Sequence, residues 1–317
     1  MQSMRDSFAT ALLSLAQEHP DLYVLSADLS SSLKLEELKQ AFPQQYLEVG
    51  VSEQNMIGVA AGLAMLGKTV IVTSFASFNP GRNWEQIRTS VCEQNLNVKI
   101  VGSHAGLSTG PDGGTHQALE DLALMTVLPN MKVFVPCDHQ ETTTLTQELV
   151  LQSGPAYLRL SRADTKLIDQ HQSHYHFGQA RVIKKPQDIT MIACGLMVDL
   201  ALQAAEELKQ ELDLEVGVIN YHTLKPFDSA TLIEAAKNTL VFVTLEEHQK
   251  IGGLGGLVAG VLSENDPKNI EMVAVNDLFG QSGSQSELFQ HYQLTVDHIK
   301  DKAIAGLQKR INVSKKK

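Results

Sequence analysis

Short runs of β-branched and other apolar residues alternate along this chain with stretches whose apolar positions recur at helical spacing. In the N-terminal half the apolar runs predict strands at 22–26, 69–74, 98–102, 132–135 and 156–160. Helical patterns fall between them, at about 7–18, 53–66, 84–93, 118–127 and 141–152. After a break the alternation resumes, with strands near 189–193, 215–220, 240–245 and 272–275, helical stretches between them and two more at the end. Alternation of this kind predicts an α/β fold built from doubly wound, mainly parallel sheets. The break runs from Ala163 to Gln187, a polar stretch rich in Gln, His and Lys that contains Pro186. It divides the chain into a first domain at 1–165, a linker at 166–187 and a second domain at 188–317. No motif repeats between the two halves.

A length of 317 residues suits two domains, and 43% hydrophobic with 20% charged residues is ordinary for a globular protein with sizeable cores. The net charge of −10 argues against a nucleic-acid surface, which needs a concentrated basic face. The one lysine run, Lys315-Lys316-Lys317, reads as a solvated terminus. The first residues lack the apolar core of a secretion signal, and no stretch is long and apolar enough to span a bilayer. Cys92, Cys137 and Cys194 lie far apart without ligand or redox spacing. They read as buried small hydrophobes in a reducing compartment, so a cytoplasmic location is expected.

Two patterns invite a functional reading and do not sustain one. His171, His174 and His176 have no cysteine or carboxylate cluster beside them and read as part of a solvated linker, so no metal site is assigned. Gly252-Gly253-Leu254-Gly255-Gly256 matches neither the dinucleotide nor the P-loop pattern, and reads as a tight turn into a closely packed helix.

The chemistry-bearing residues lie in the first half. Glu53 opens a helix rich in Gly and Ala, and Phe75 and Phe78 end the next strand. A carboxylate with aromatic rings could hold a flat nitrogen heterocycle, the rings on its face and the carboxylate sharing a proton with a ring nitrogen. Taken singly, Glu53 also fits a helix N-terminal carboxylate, and the phenylalanines fit an ordinary core. The small residues after Glu53 allow close approach of another backbone, in the core or at a subunit interface. Downstream, Gly102 to Gln117 is a glycine-rich loop after a predicted strand, carrying His104, Asp112 and His116. Loops at the carboxyl ends of parallel strands are where α/β sheets place ligands. His and Asp there could orient hydroxyls and move protons. Spacing alone equally allows an Asp/Gly turn with surface histidines.

Taken together, Gly50-Val51-Ser52-Glu53-Gln54-Asn55, Ser74-Phe75-Ala76-Ser77-Phe78, the loop from His104 to Gln117 and Leu119-Glu120-Asp121 resemble the transketolase family. Ser26-Ala27-Asp28-Leu29 and Leu160-Ser161-Arg162 add to the likeness. The resemblance covers the family's pyrimidine-binding and C-terminal domains. It implies that Glu53 hydrogen-bonds N1′ of the thiamine diphosphate aminopyrimidine and activates the cofactor for two-carbon ketol transfer. It implies that Phe75 and Phe78 line the pyrimidine pocket, with Asp28 near the cofactor at a subunit boundary. His104, Asp112 and His116 match sugar contacts, His104 and His116 with a catalytic part. Arg5, Ser32 and Arg162 match contacts to the substrate phosphate, where guanidinium groups give forked, charge-assisted bonds. Asn79-Pro80-Gly81-Arg82 departs from the more aromatic continuation of full-length members and resembles the short split ones, which makes Arg82 a cofactor-side residue.

The family's Gly-Asp-Gly motif, which binds the diphosphate through Mg²⁺, is absent from the sequence. The resemblance therefore implies a separately encoded diphosphate-binding subunit that ligates the Mg²⁺, and a heterotetramer of two of each chain acting on phosphosugars. The second domain is expected to take part in dimerisation. Three alternatives remain: the same chemistry on another sugar, a 1-deoxyxylulose-5-phosphate-synthase-like reaction, or a non-catalytic subunit that kept the fold. The loop from His104 to His116 fits the beta subunit of a 2-oxoacid dehydrogenase poorly.

Overall fold

A computed structural model of the chain describes residues 2–168 and 175–314. Numbered in chain order, the strands begin with β1 (Gln2–Ser3), then β2 (Leu22–Ser26), β3 (Tyr46–Glu48), β4 (Thr69–Phe75), β5 (Val98–Ser103), β6 (Lys132–Phe134) and β7 (Ala156–Arg159). A short strand, β8 (Asp164–Thr165), pairs antiparallel with β1, setting Gln2 opposite Thr165. The second half supplies β9 (Arg181–Lys184), β10 (Ile189–Ala193), β11 (Val216–Asn220), β12 (Thr223–Lys225), β13 (Val241–Gln249) and β14 (Asn269–Val275). Two large sheets result, in the orders β12-β6-β7-β5-β4-β2-β3 and β14-β13-β10-β11-β9. Neighbours in both are parallel except at the edge strands β12 and β9. The mixed α/β architecture is the one the alternation predicts. The central strands β4, β5 and β10 are almost entirely buried, as strands covered on both faces must be.

The expected strands of the first half begin at the expected residues, because each is a continuous apolar run. The departures are informative. β3 and β12 are three-residue strands, too short to carry a period. Within the polar stretch β9 forms an edge strand on β11, since Ile183 packs against the second half's core. The helix expected at 84–93 is one α-helical turn, Trp84–Gln86, continuing as the π-helix Ile87–Cys92. The helix expected at 118–127 spans only Asp121–Thr126, because the preceding residues complete a long loop. His171 and His174 lie outside the described residues.

β12 leaves its own half to pair with β6, placing Thr223 opposite Phe134. One apolar cluster accordingly runs through both halves, from Leu25, Val70 and Ile100 to Tyr221, Leu224 and Leu254. The three cysteines are free and buried. No helix among the described residues is long and apolar enough to cross a membrane.

The chain leaves β2 for β3 on one side and returns to β4 on the other. The strand order thus reverses at β2 and β4, and the crevice outside their carboxyl ends is where such sheets bind ligands. Asp28, Glu53, Phe75, His104 and Arg162 all lie at or just beyond the carboxyl ends of β2, β3, β4, β5 and β7.

Candidate active site

Glu53 begins the helix Glu53–Met65, where unpaired N–H groups favour a carboxylate. The helix buries Glu53, Met56, Ile57, Ala60 and Ala61, one stripe at spacings of three and four residues. Gly58 and Gly62 are exposed, with open space where a Cβ would stand. The glycine face is thus turned away from this chain's own core.

Glu53 is 1% exposed, and among the described residues its one ion pair is with Arg82, whose Nη1 lies 2.8 Å from Oε2. The Arg82 guanidinium lies over the Phe78 ring at 4.7 Å. The turn that delivers Arg82 is tied to the sheet by asparagines. Asn79 Nδ2 donates to the carbonyls of Val72 and Val101, and Asn83 Nδ2 donates to Asn79 Oδ1 and to the Glu53 carbonyl. Gly81 is required here, because a Cβ would sit 2.0 Å from the Ser77 carbonyl oxygen.

Four rings gather beside this pair. Phe75 and Phe78 stack with centroids 6.3 Å apart, and His104 lies 4.0 Å from Phe75. His116 meets both phenylalanines edge-on, at 6.2 and 5.4 Å. His104 adopts a left-handed backbone (φ 53°), and its Nδ1 is 2.6 Å from Ser103 Oγ. Burial above all, then the charges of Arg5 and Arg162 and the neighbouring His116, push it down to about 3. His104 is therefore neutral at physiological pH, able to donate from one ring nitrogen and accept at the other.

The cationic end is assembled by the β1–β8 pairing, which brings the start of the chain beside the segment after β7. Arg5 Nη1 donates to the Ser32 carbonyl at 3.1 Å, and Arg5 Nε is buried without a hydrogen-bond partner among the described residues. Arg162 Nη1 donates to the Thr109 carbonyl at 2.8 Å and reaches Asp112 Oδ1 at 3.5 Å. Burial and then Arg162 lower the pKa of Arg5. Two like charges with an unsatisfied donor suit a doubly charged oxyanion.

Asp28 is exposed and left-handed (φ 60°), and its N–H donates to Glu48 Oε1 at 2.7 Å. Glu48 Oε1 also accepts from the Gly50 N–H at 3.1 Å, and Tyr46 Oη donates to Oε2 at 3.2 Å. Glu48 thereby ties the turn of Asp28 to the segment entering Glu53. Sequence reading missed it, because nothing marks one carboxylate at the end of a three-residue strand.

From behind, the loop at 104–117 rests on the second half. The Ser108 N–H donates to Glu247 Oε1, and Gln117 Nε2 donates to the carbonyls of Gly110 and Gln281 at 2.9 Å. The structure thus brings Glu53, Phe75, Phe78, Arg82, His104 and His116 together. Arg5, Ser32, Asp112 and Arg162 form the cationic end, and Asp28 lies to one side near Glu48. Among the described residues, no three His, Cys, Asp or Glu side chains are grouped to hold a metal ion.

Residues 1–166 match the family described as "Transketolase, pyrimidine binding domain", and residues 178–299 match "Transketolase, C-terminal domain". The chain is 38% identical over 311 residues to a Methanocaldococcus jannaschii protein described as "Putative transketolase C-terminal section", covering 97% of each chain. It is 38% identical over 296 residues to a 6-deoxy-6-sulfo-D-fructose transketolase subunit of a Clostridium species, covering 93% of this chain and 92% of that one. A solved structure described as "Split gene transketolase, inactive beta4 tetramer" superposes with a TM-score of 0.90 at 41% identity, covering 97% of this chain and 99% of the other.

Proposed function

The chain belongs to the transketolase family, and we propose that it supplies the pyrimidine half of a thiamine-diphosphate site in a two-chain ketol transferase. The observation that carries this reading is Glu53, a buried carboxylate at a helix N-terminus beside a half-buried cluster of rings. These residues fit the ring end of the cofactor: one carboxylate for a ring nitrogen and aromatic faces for stacking. When bound, thiamine diphosphate supplies the carbon nucleophile and the electron sink for a two-carbon fragment. Glu53 holds the proton shared with pyrimidine N1′, in surroundings where exclusion of water strengthens that bond. Phe75 and Phe78 would offer their faces to the ring, with Arg82 beside Glu53 and Asp28 near a partner.

At the substrate end, His104, which is neutral, and His116 orient the hydroxyls and carbonyl of the ketose, with Asp112 beside them. Arg5, Ser32 and Arg162 receive its anionic terminus. The Mg²⁺ and the diphosphate belong to a separately encoded partner, in an assembly with two of each chain. The open face of Gly58 and Gly62 offers that partner close backbone approach. Three buried free cysteines accord with a cytoplasmic protein.

A second reading keeps the chemistry and changes the sugar, because one of the similar relatives is named for a sulfonated fructose. The cationic end would accept sulfonate or phosphate. The test is to assay the chain with and without a diphosphate-domain partner, thiamine diphosphate and Mg²⁺, on xylulose 5-phosphate plus ribose 5-phosphate. Activity is expected only for the pair. Turnover by the isolated chain would overturn the two-chain reading. Transfer from 6-deoxy-6-sulfofructose alone would install the second sugar.

A further inference from the structure

Near its carboxyl end strand β13 carries Glu246, Glu247 and His248, all buried between the two halves. Glu246 serves its own half: its carboxylate accepts from the Leu254 and Gly255 N–H groups at 2.7 and 2.8 Å. A Cβ on Gly253 would sit 1.8 Å from Glu246 Oε2, so the glycine turn before helix Leu254–Asn265 exists to admit this carboxylate.

Glu247 faces the other way, into the first half. Its Oε1 accepts from the Ser108 N–H at 2.5 Å. A Cβ on Gly106 would lie 2.4 Å from its carboxyl carbon. Its carbonyl accepts from Arg159 Nη2 at 2.8 Å, while Arg159 Nε donates to Asp121 Oδ2 at 2.8 Å. Ser108 belongs to the 3₁₀ turn Leu107–Asp112, and that turn is wired to the proposed substrate end. Thr109 Oγ1 donates to the His104 carbonyl at 2.5 Å, the Thr109 carbonyl accepts from Arg162, and Asp112 closes the turn.

We infer that Glu247 is a positioning residue: its carboxyl group, supplied by the C-terminal half, clamps the turn 106–112 and so sets His104, Asp112 and Arg162 for the substrate. This rests on the proposed reading of that loop as the substrate contact. It gives the C-terminal half a part in the active site beyond assembly.

Burial pushes the Glu247 carboxyl up to about 7; Asp121 pushes the same way, and Arg159 and the Ser108 bonds oppose it. The other titratable groups near it are Glu246 and His248 on its own strand and Cys194, whose thiol burial holds protonated. Because burial in the closed turn is the main cause of this rise, opening the turn hydrates the carboxyl and returns it towards its ordinary value, so the closed turn holds the proton more tightly than the open one. The clamp therefore loosens as pH rises through neutrality, where the buried group must carry its charge.

Amide exchange of the full chain between pH 5.5 and 8.5, corrected for intrinsic rates and read at 104–112, tests this directly. Wild-type protection of the turn is expected to fall several-fold between pH 5.5 and 8.5. In Glu247→Gln, which keeps an acceptor oxygen without the charge, protection should no longer vary with pH. Glu247→Ala and Gly106→Ala should lose about tenfold in protection at pH 5.5, where the wild-type clamp is firmest. Identical pH profiles for wild type and Glu247→Gln, or unchanged protection in both alanine variants, would overturn the inference. In the two-chain enzyme, KM for the ketose phosphate should follow the exchange. Exchange that moves while KM stays fixed upholds the clamp and instead overturns the substrate role assigned to the loop.

Discussion

Two arginine–carboxylate pairs in the first half each have a nitrogen 2.8 Å from an oxygen. Arg82–Glu53 joins a buried carboxylate to a guanidinium whose side chain is 46% exposed and lies over a ring. Arg159–Asp121 is closed on both sides, at 6% and 1% exposure. Arg159 makes further bonds to the carbonyls of Ala118 and Glu247, and Asp121 also accepts from Tyr157. Equal distances therefore describe unequal roles. A carboxylate whose partner reaches solvent can exchange that partner for a ligand at small cost. A carboxylate inside a connected buried network holds the two halves of the protein together.

Replacing Glu53 with Gln should separate the two roles most sharply. In the reconstituted two-chain enzyme at saturating cofactor, turnover should fall about 10²–10⁴-fold, with the thermal midpoint unmoved. Wild-type turnover in that variant would remove the proton-holding role. Arg159→Leu should do the reverse, leaving Asp121 buried without its charge partner. Denaturant titration should show a loss of roughly 3–5 kcal/mol in stability, and a loss under 1 kcal/mol would deny the pair its structural weight.

Smaller effects probe the anion end and the rings. Arg162→Ala should raise KM for the phosphosugar about 10-fold or more and leave kcat nearly unchanged; an unchanged KM would take Arg162 out of substrate binding. His104 is held down to about 3, so it gains a proton only in strong acid. Its ring resonances should stay flat between about pH 5 and 8, the range in which an ordinary histidine titrates; titration there would show that its burial and neighbouring cations do not act as described. The smallest effect is expected for Arg82→Ala, within about 1 kcal/mol in stability, because nearly half of its side chain is exposed and water can take its place beside Glu53. A large loss would make this pair resemble the other, and the contrast would collapse.

Much of the site could be read along the chain. Phe75 and Phe78 are three residues apart on one strand end, Arg82 lies four further on, and His104 through His116 is a single loop. Each group is local, so type and spacing reveal it. Glu48 and Glu247 could not be found that way. Glu48 acts through backbone N–H groups at Asp28 and Gly50, which no side-chain pattern records. Glu247 meets Ser108 across 139 residues, in a half of the chain that shows no chemical motif. β12 escaped notice because three residues cannot display a period, although it stitches the second half to the first sheet.

By itself the sequence determined the alternation of strand and helix, the parallel character of the sheets and the kinds of side chain at each strand end. Those properties follow from backbone hydrogen bonding and the periodicity of burial, which act over a few residues. Tertiary structure decided which strand ends stand side by side, which glycines face outward, and which buried carboxylate has an ion partner that reaches solvent and which has one enclosed with it. Strand order and domain packing set those distances, and they join residues far apart in the chain. Glu53 and Glu247 read as the same residue type in the sequence. Their surroundings make one a candidate for proton chemistry and the other a clamp.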